Sequence, residues 1–276
     1  MAQPPDRPLR RTRMPSADLR AAWEEHAAEF VAWARKPDHD SYGRFHRDQF
    51  LELVPPPGRR TLDLGCGEGR LSRDLKAIGH EVVAVDASST MIAAAREADA
   101  ELETLLADAA ALPFEDGAFD LVLAFMSLQD VDDLERAVRE AERVLEPGGR
   151  FCLAVVHPLN SAGRFDGDEP DSPFTIAGSY LDRSYYADNL IRDGLEITFV
   201  SAHRPLHAYV DALACAGLLV ERLRETDVPE GAITMPRSRR WQRPALLAHP
   251  GNEAVAVPQA SPEVLRVDFF VPCSSC

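Results

Sequence analysis

No apolar run in these 276 residues approaches the roughly 20 that a bilayer-spanning helix needs, so no membrane span is expected. Positive charge is scarce: 30 Lys and Arg stand against 45 Asp and Glu, a formal charge of −15. That balance argues against broad contact with nucleic acid or with an anionic membrane surface. Cysteine is scarce and odd in number, with five residues, at positions 66, 152, 215, 273 and 276. Only Cys273 and Cys276 have a C-x-x-C spacing, and one such pair cannot complete a four-ligand zinc site, so no metal is expected. Reduced thiols in a cytoplasmic protein are the simplest account. Met1 to Asp18 carries Arg7, Arg10, Arg11 and Arg13 among prolines with no apolar core, which is no secretory signal and predicts a disordered arm over residues 1–18.

The stretch Thr61 to Gly69, Thr-Leu-Asp-Leu-Gly-Cys-Gly-Glu-Gly, organises the rest. Leu62 and Leu64 flank Asp63 in a short apolar strand, and three glycines follow at alternate positions. Leu71, Leu75 and Ile78 then recur on one helical face. A strand, a glycine turn and a helix start aim free backbone N–H groups at a bound molecule. The pattern repeats downstream. Strands are predicted at Glu81 to Asp86, Thr104 to Asp108, Phe119 to Phe125, Phe151 to Val156 and Leu218 to Arg224, with helices between them. Pro147-Gly148-Gly149 closes the helix over Asp132 to Leu145. This alternation implies an α/β fold with a doubly wound, mostly parallel sheet. Two helices precede it, Leu19 to Arg35 and Tyr42 to Leu53, the first either a lid or part of the core. The segment 157–203 breaks the rhythm after the fifth strand and is rich in Gly, Ser, Asp, Pro and aromatics. Its place beyond a strand's carboxyl end predicts a substrate-facing cap, with an extra strand at Glu196 to Ser201.

Three strands deliver Asp63, Asp86 and Asp108 to one sheet edge, where each carboxylate needs a donor. Asp86 lies about 20 residues past the glycine turn, where an acid meets ribose hydroxyls in dinucleotide folds. The turn lacks the G-x-G-x-x-G spacing, however, and a pyrophosphate would be repelled by Asp63. A cationic, phosphate-free nucleoside suits these acids better than a nicotinamide cofactor.

Leu62 to Arg70, Val85 to Ser88, Ala107 to Phe114 and Arg143 to Arg150 together resemble the successive motifs of class I S-adenosylmethionine-dependent methyltransferases. The nearest subgroup is the type 11 domain, which includes the ubiquinone and menaquinone C-methyltransferases. The motif core covers residues 61–156 of a domain expected over 19–243. The resemblance implies that Asp63, Gly65, Cys66 and Gly67 hold the methionine portion of S-adenosylmethionine. It places Asp86 on the ribose, Ala87 and Met91 beside the adenosine, Asp108 and Ala109 at the adenine, and Phe125 and Met126 near the cofactor. Gln129, Asp130 and His157 are the candidates for the acceptor side, with His157 and Gln129 preferred. The Asn/Asp-Pro-Pro-aromatic motif of amino-methylating nucleic-acid enzymes is absent, which with the acidic charge points to a small-molecule acceptor. A non-catalytic subunit that binds the same cofactor would carry the same motifs.

The resemblance implies a seventh, antiparallel strand after Arg243. Instead residues 244–276 begin Pro244-Ala245-Leu246-Leu247-Ala248-His249-Pro250 without strand alternation. Read one nucleotide later, degenerate codons permit Val-Pro-Leu-Phe-Leu-His-Ile-Arg-Ala, so a frameshifted tail and an unpaired edge on the sixth strand are expected. The competing reading takes the seventh strand from Val264 to Val271.

Overall fold

A computed structural model describes residues 7–37, 39–167, 172–176, 178–226 and 265–272. The chain opens on a strand, Arg7–Met14 (β1), followed by a helix, Leu19–Ala34 (α1), and a π-helical turn, Tyr42–His46, that runs into Arg47–Leu51 (α2). The Asp18 side chain accepts the Ala21 N–H at 2.9 Å and so fixes the start of α1. The core then alternates: Thr61–Leu64 (β2), Arg70–Ala77 (α3), Val82–Asp86 (β3), Ser89–Ala98 (α4), Glu103–Leu106 (β4), Phe119–Phe125 (β5), Leu134–Val144 (α5) and Leu145–Ala154 (β6). Pro158–Ala162 (α6), the short hairpin Gly163–Phe165 (β7) and Phe174–Ile176 (β8), and the long hairpin Ser184–Arg192 (β9) and Leu195–His203 (β10) follow. Leu206–Cys215 (α7), Leu219–Thr226 (β11) and Arg266–Pro272 (β12) complete the described elements.

Seven strands form one sheet in the order β11-β12-β6-β5-β2-β3-β4, every pairing parallel. A parallel sheet must be covered on both faces, and its central strands read as continuous apolar runs. Leu62, Val83, Val122, Leu123 and Phe151 are accordingly fully buried. The strand β6 begins earlier than Pro147-Gly148-Gly149 suggests. Its register against β5 jumps between Phe119↔Leu145 and Leu121↔Arg150, so the Pro-Gly-Gly segment is absorbed as an irregularity within the strand.

Two expectations are corrected. Residues 7–14 are not a disordered arm: β1 pairs antiparallel with β9 and completes a three-stranded sheet, β1-β9-β10. The pairing is held by a buried ion pair at Arg11 rather than by apolar alternation. Nor is the sixth strand left without a partner: Leu219–Thr226 (β11), at the end of the sheet, pairs on its inner edge. The β12 strand lies between β6 and β11, parallel to both, instead of an antiparallel strand. Val267 and Phe269 are fully buried in the main core, and between them Asp268 meets Arg150 at 2.9 Å. Residues 227–264 and 273–276, including Cys273 and Cys276, lie outside the described residues.

Candidate functional site

At the carboxyl ends of β2, β3 and β4 the chain leaves a cavity with about 1550 Å³ of empty space, its open mouth included. The turn after β2 is its floor. Gly65 and Gly67 have φ of 75° and 55°, conformations that cost an L side chain but not glycine. A Cβ on Gly65 would fall 2.4 Å from Ser127 Cβ, and Ser127 Oγ is itself tied to Leu64 O at 2.7 Å. The N–H groups of Gly65 and Cys66 both donate to Val85 O, so the turn is bonded to β3 as one unit.

Each strand-end acid has a different setting. Asp63 is buried, accepts the Ser72 hydroxyl, and is pushed up to about 6 by burial, with Ser72 and Arg70 opposing the shift. Asp86 accepts the Gly67 N–H at 2.8 Å and the Ser88 N–H at 2.9 Å. Burial raises its pKa, and those two donors hold the rise in check. Asp108 is half exposed and stands 3.5 Å from Arg20. Opposite them, Arg70 lies over the rings of Tyr42 and Phe30, at 4.9 and 5.3 Å, and pairs with Asp40 at 2.5 Å.

Asp63 yields a stability prediction. A carboxyl raised to about 6 keeps its proton in the folded chain at pH values where the unfolded chain, near 3.9, releases it. Stability from this group therefore falls as pH rises from about 4 through about 6, and stays low above that. Asp63→Asn, which still accepts from Ser72, removes the penalty. Its thermal midpoint at pH 7.5 should exceed that of the wild type by the equivalent of about 2 kcal/mol, with the two converging near pH 4. A variant less stable at the higher pH would refute the assignment.

The cavity brings together Asp63, Gly65, Cys66, Gly67, Asp86, Ala87, Met91, Asp108, Ala109, Phe125 and Met126, all singled out in the sequence, and Gln129 with them. Met126 has φ 55°, a strained conformation for a non-glycine residue, at the point where β5 turns into the cavity wall. His157 is a correction. Its Nδ1 accepts the Leu159 N–H at 3.1 Å as the cap of α6, and its Nε2 lies 2.7 Å from Glu225 Oε1. It is not among the residues that line the cavity. Proximity to a strand end misplaced it: the ring turns outward to serve a helix start.

Sequence reasoning offered the first helix as a lid or core element and 157–203 as a cap, but assigned no site role to the side chains of theirs that form the roof. The helix α1 lies over the cavity and contributes Trp23 and Phe30; β9 contributes Tyr186 and Asp188, and β10 contributes Phe199 and Ser201. Trp23, Phe30 and Phe199 meet edge to face, with centroids 5.5 to 6.4 Å apart. The helix is anchored at both sides. Leu19 N–H donates to Asp132 at 2.9 Å, and Glu24 accepts the hydroxyls of Ser88, Ser89 and Thr90 at the start of α4. The aromatic periodicity of α1 was visible in the sequence, but the face it presents was not.

Residues 62–153 match the family described as Methyltransferase domain. Among similar proteins, a demethylmenaquinone methyltransferase of Thermus thermophilus is 44% identical over 117 residues, 40% of this chain and 52% of that protein. A malonyl-[acyl-carrier protein] O-methyltransferase of Enterobacter lignolyticus is 43% identical over 119 residues, 43% of this chain and 47% of that protein. The chain thus spans about half the length of the curated relatives it matches. The structure of an S-adenosylmethionine dependent methyltransferase from Mesorhizobium loti superposes with a TM-score of 0.57 at 28% identity, covering 68% of this chain and 87% of that one. With the order of the motifs and the sheet topology, these matches identify residues 62–153 as a class I methyltransferase domain of the type 11 group.

Proposed function

We propose that the chain transfers a methyl group from S-adenosylmethionine to a small-molecule acceptor, in the cytoplasm. The observation that carries this reading is the convergence of Asp63, Asp86 and Asp108 with the glycine turn on one cavity. The donor and acceptor set fits the cofactor. A carboxylate offers about four lone-pair positions, and Asp86 has committed two of them to Gly67 and Ser88, leaving two for ribose hydroxyls. Asp63 suits the ammonium of the methionine portion and Arg70 its carboxylate. Asp108, with Ala109 beside it, suits the adenine amino group. The glycine turn gives the amino-acid portion bare backbone to lie against. A dinucleotide would have to place its pyrophosphate beside Asp63 instead.

When bound, the cofactor supplies an electrophilic methyl group on a sulfonium. The work left to the protein is alignment, worth roughly 7–11 kcal/mol where the reacting atoms are held in attack geometry, and exclusion of water. The roof formed by α1, β9 and β10 serves the second task and faces the acceptor.

Calorimetric titration with S-adenosylhomocysteine, with NAD(H) in parallel, tests the reading. Micromolar binding of the former with a one-to-one stoichiometry is expected. Binding of NAD(H) alone, or of neither ligand by the folded chain, overturns it.

A further inference from the structure

Between the aromatic roof and the end of β5 lies a group of polar atoms that the cofactor reading does not use. Asp130, in the turn after β5, accepts Gln129 Nε2 on Oδ2 at 3.0 Å, and the Ser201 hydroxyl lies near enough to act on the same carboxylate. Its other oxygen, Oδ1, is buried and has no hydrogen-bond partner among the described residues. The indole N–H of Trp23 faces this carboxylate, yet Trp23 Nε1 is also buried and does not reach bonding geometry. Gln129 is 4% exposed, and its Oε1 is a third buried atom without a partner. Trp23, Gln129 and Asp130 all line the cavity. Orphaned buried donors and acceptors are costly, and in a cavity wall they mark where a ligand completes the set.

The orphans select the ligand's chemistry. One is a donor and two are acceptors. A hydroxyl satisfies a donor and an acceptor together, because its oxygen accepts from Trp23 while its hydrogen is given to Asp130. An ammonium has no lone pair for Trp23. A carboxylate would meet Asp130, Asp132 and Asp188 at this end of the cavity. The nearby cations are already committed: Arg11 to Asp188, and Arg204 to the carbonyls of Leu128, Gln129 and Val131. The body attached to the hydroxyl rests among Trp23, Phe30, Phe199 and Tyr186, a surface suited to an aromatic ring.

We propose, building on the methyl-transfer reading above, that this cluster is the acceptor subsite, that it takes an uncharged aromatic hydroxyl compound, and that Asp130 is the general base. The O–H bond breaks as its proton passes to Asp130 Oδ1. The oxygen's electron pair forms the new bond to the methyl carbon, and the carbon–sulfur pair returns to sulfur, which leaves as a neutral thioether. Gln129 Oε1 receives a second donor on the acceptor. Asp130 is poised for this exchange, since burial pushes it up to about 7 against the opposing effects of Ser201, Arg204, Gln129 and Trp23. The other titratable groups that act on it are Tyr186 and Tyr209, both raised by burial and neutral at this pH.

The test uses the full chain, with 2-naphthol and 2-naphthoate as probes of one shape and two charges. S-Adenosylhomocysteine is titrated first into the wild type, Asp130→Asn and Trp23→Phe. Equal binding shows all three folded and the cofactor site intact, whereas no binding to the wild type fells the cofactor reading and this inference together. The saturated wild type should then bind 2-naphthol about tenfold or more tighter than 2-naphthoate, a preference lost in both variants. Methyl transfer to 2-naphthol should rise with pH through about 7 in the wild type and be about 100-fold or more lower, without that inflection, in Asp130→Asn. Preference for 2-naphthoate, binding of neither probe beside intact cofactor binding, or an unchanged pH profile in Asp130→Asn overturns the proposal.

Discussion

Asp86→Ala should weaken S-adenosylhomocysteine binding by about 100-fold or more, since each hydrogen bond to a charged acceptor contributes on the order of 1.5–3 kcal/mol and the proposed ribose contact would supply two. The loss has two parts that separate experimentally. The carboxylate is the acceptor that the ribose would meet, and it also bonds the Gly67 and Ser88 N–H groups, so that the glycine turn and the start of α4 share one anchor. Without it both N–H groups lose their partner and the turn loses its fixed shape. Asp86→Asn keeps one carbonyl oxygen for the backbone and offers the ribose a weaker partner. It should bind about tenfold less tightly than the wild type, between the two extremes. Stability gives the control. Burial already disfavours the Asp86 charge, so the alanine variant should not unfold and its thermal midpoint should stay within a few degrees of the wild type. A folded Asp86→Ala chain that binds within a factor of about three of the wild type removes Asp86 from the ribose.

How much of this could be read from the sequence depends on how local each signal is. The core from β2 to β6 was legible because strand, turn and helix signals are adjacent there: three glycines after Leu64, a serine cap at Ser88 or Ser89 before α4, an apolar run at β5. The strand ends fell within about two residues, and the three acids followed from the ends. Long-range pairings were not legible. The β1 strand has arginines where a half-buried strand would show alternating apolar residues, and its partner Asp188 is 177 positions away. The β12 strand was legible as the competing reading, the run Val264 to Val271, but its parallel direction between β6 and β11 was not, since that depends on Val267 and Phe269 packing into a core built by distant segments. The helix anticipated over Tyr42 to Leu53 is instead a π turn followed by five residues of α-helix, with the Tyr42 hydroxyl donating to Asp74 at 2.7 Å. The acceptor end was the least legible part of the site. Asp130 was among the candidates, but Trp23, Tyr186 and Ser201, which meet it at the cavity, come from three other segments, and no spacing rule connects them. His157 shows the opposite error, a residue in the right part of the chain whose ring serves a helix cap.

Arg11→Met should cost about 3–5 kcal/mol of folding stability at pH 7.5, the range for breaking a buried ion pair by removing one partner. Both side chains are largely covered, at 14% and 6% exposure. The guanidinium binds Asp188 through two nitrogens, lies 4.3 Å above the Tyr186 ring, and gives its remaining N–H groups to the carbonyls of Asn160 and Gly163. Methionine keeps most of the stem and none of the charge, so the loss reports on the ion pair more than on packing. Asp188 is already raised by burial with only Arg11 opposing, and removing that cation sends it higher. The folded variant then holds a proton that the unfolded chain releases above about pH 4, so its stability falls as pH rises. The penalty should therefore be larger at pH 8 than at pH 5 in urea unfolding. Arg11→Met combined with Asp188→Asn should recover much of the loss, because no uncompensated charge remains. A penalty below about 1 kcal/mol, or one equal at the two pH values, would mean that the pair is only a surface contact. If the penalty is as large as expected, a strand with no apolar pattern is fixed to the sheet by one side chain, and that sheet is the wall carrying Tyr186, Asp188 and Ser201 above the cavity.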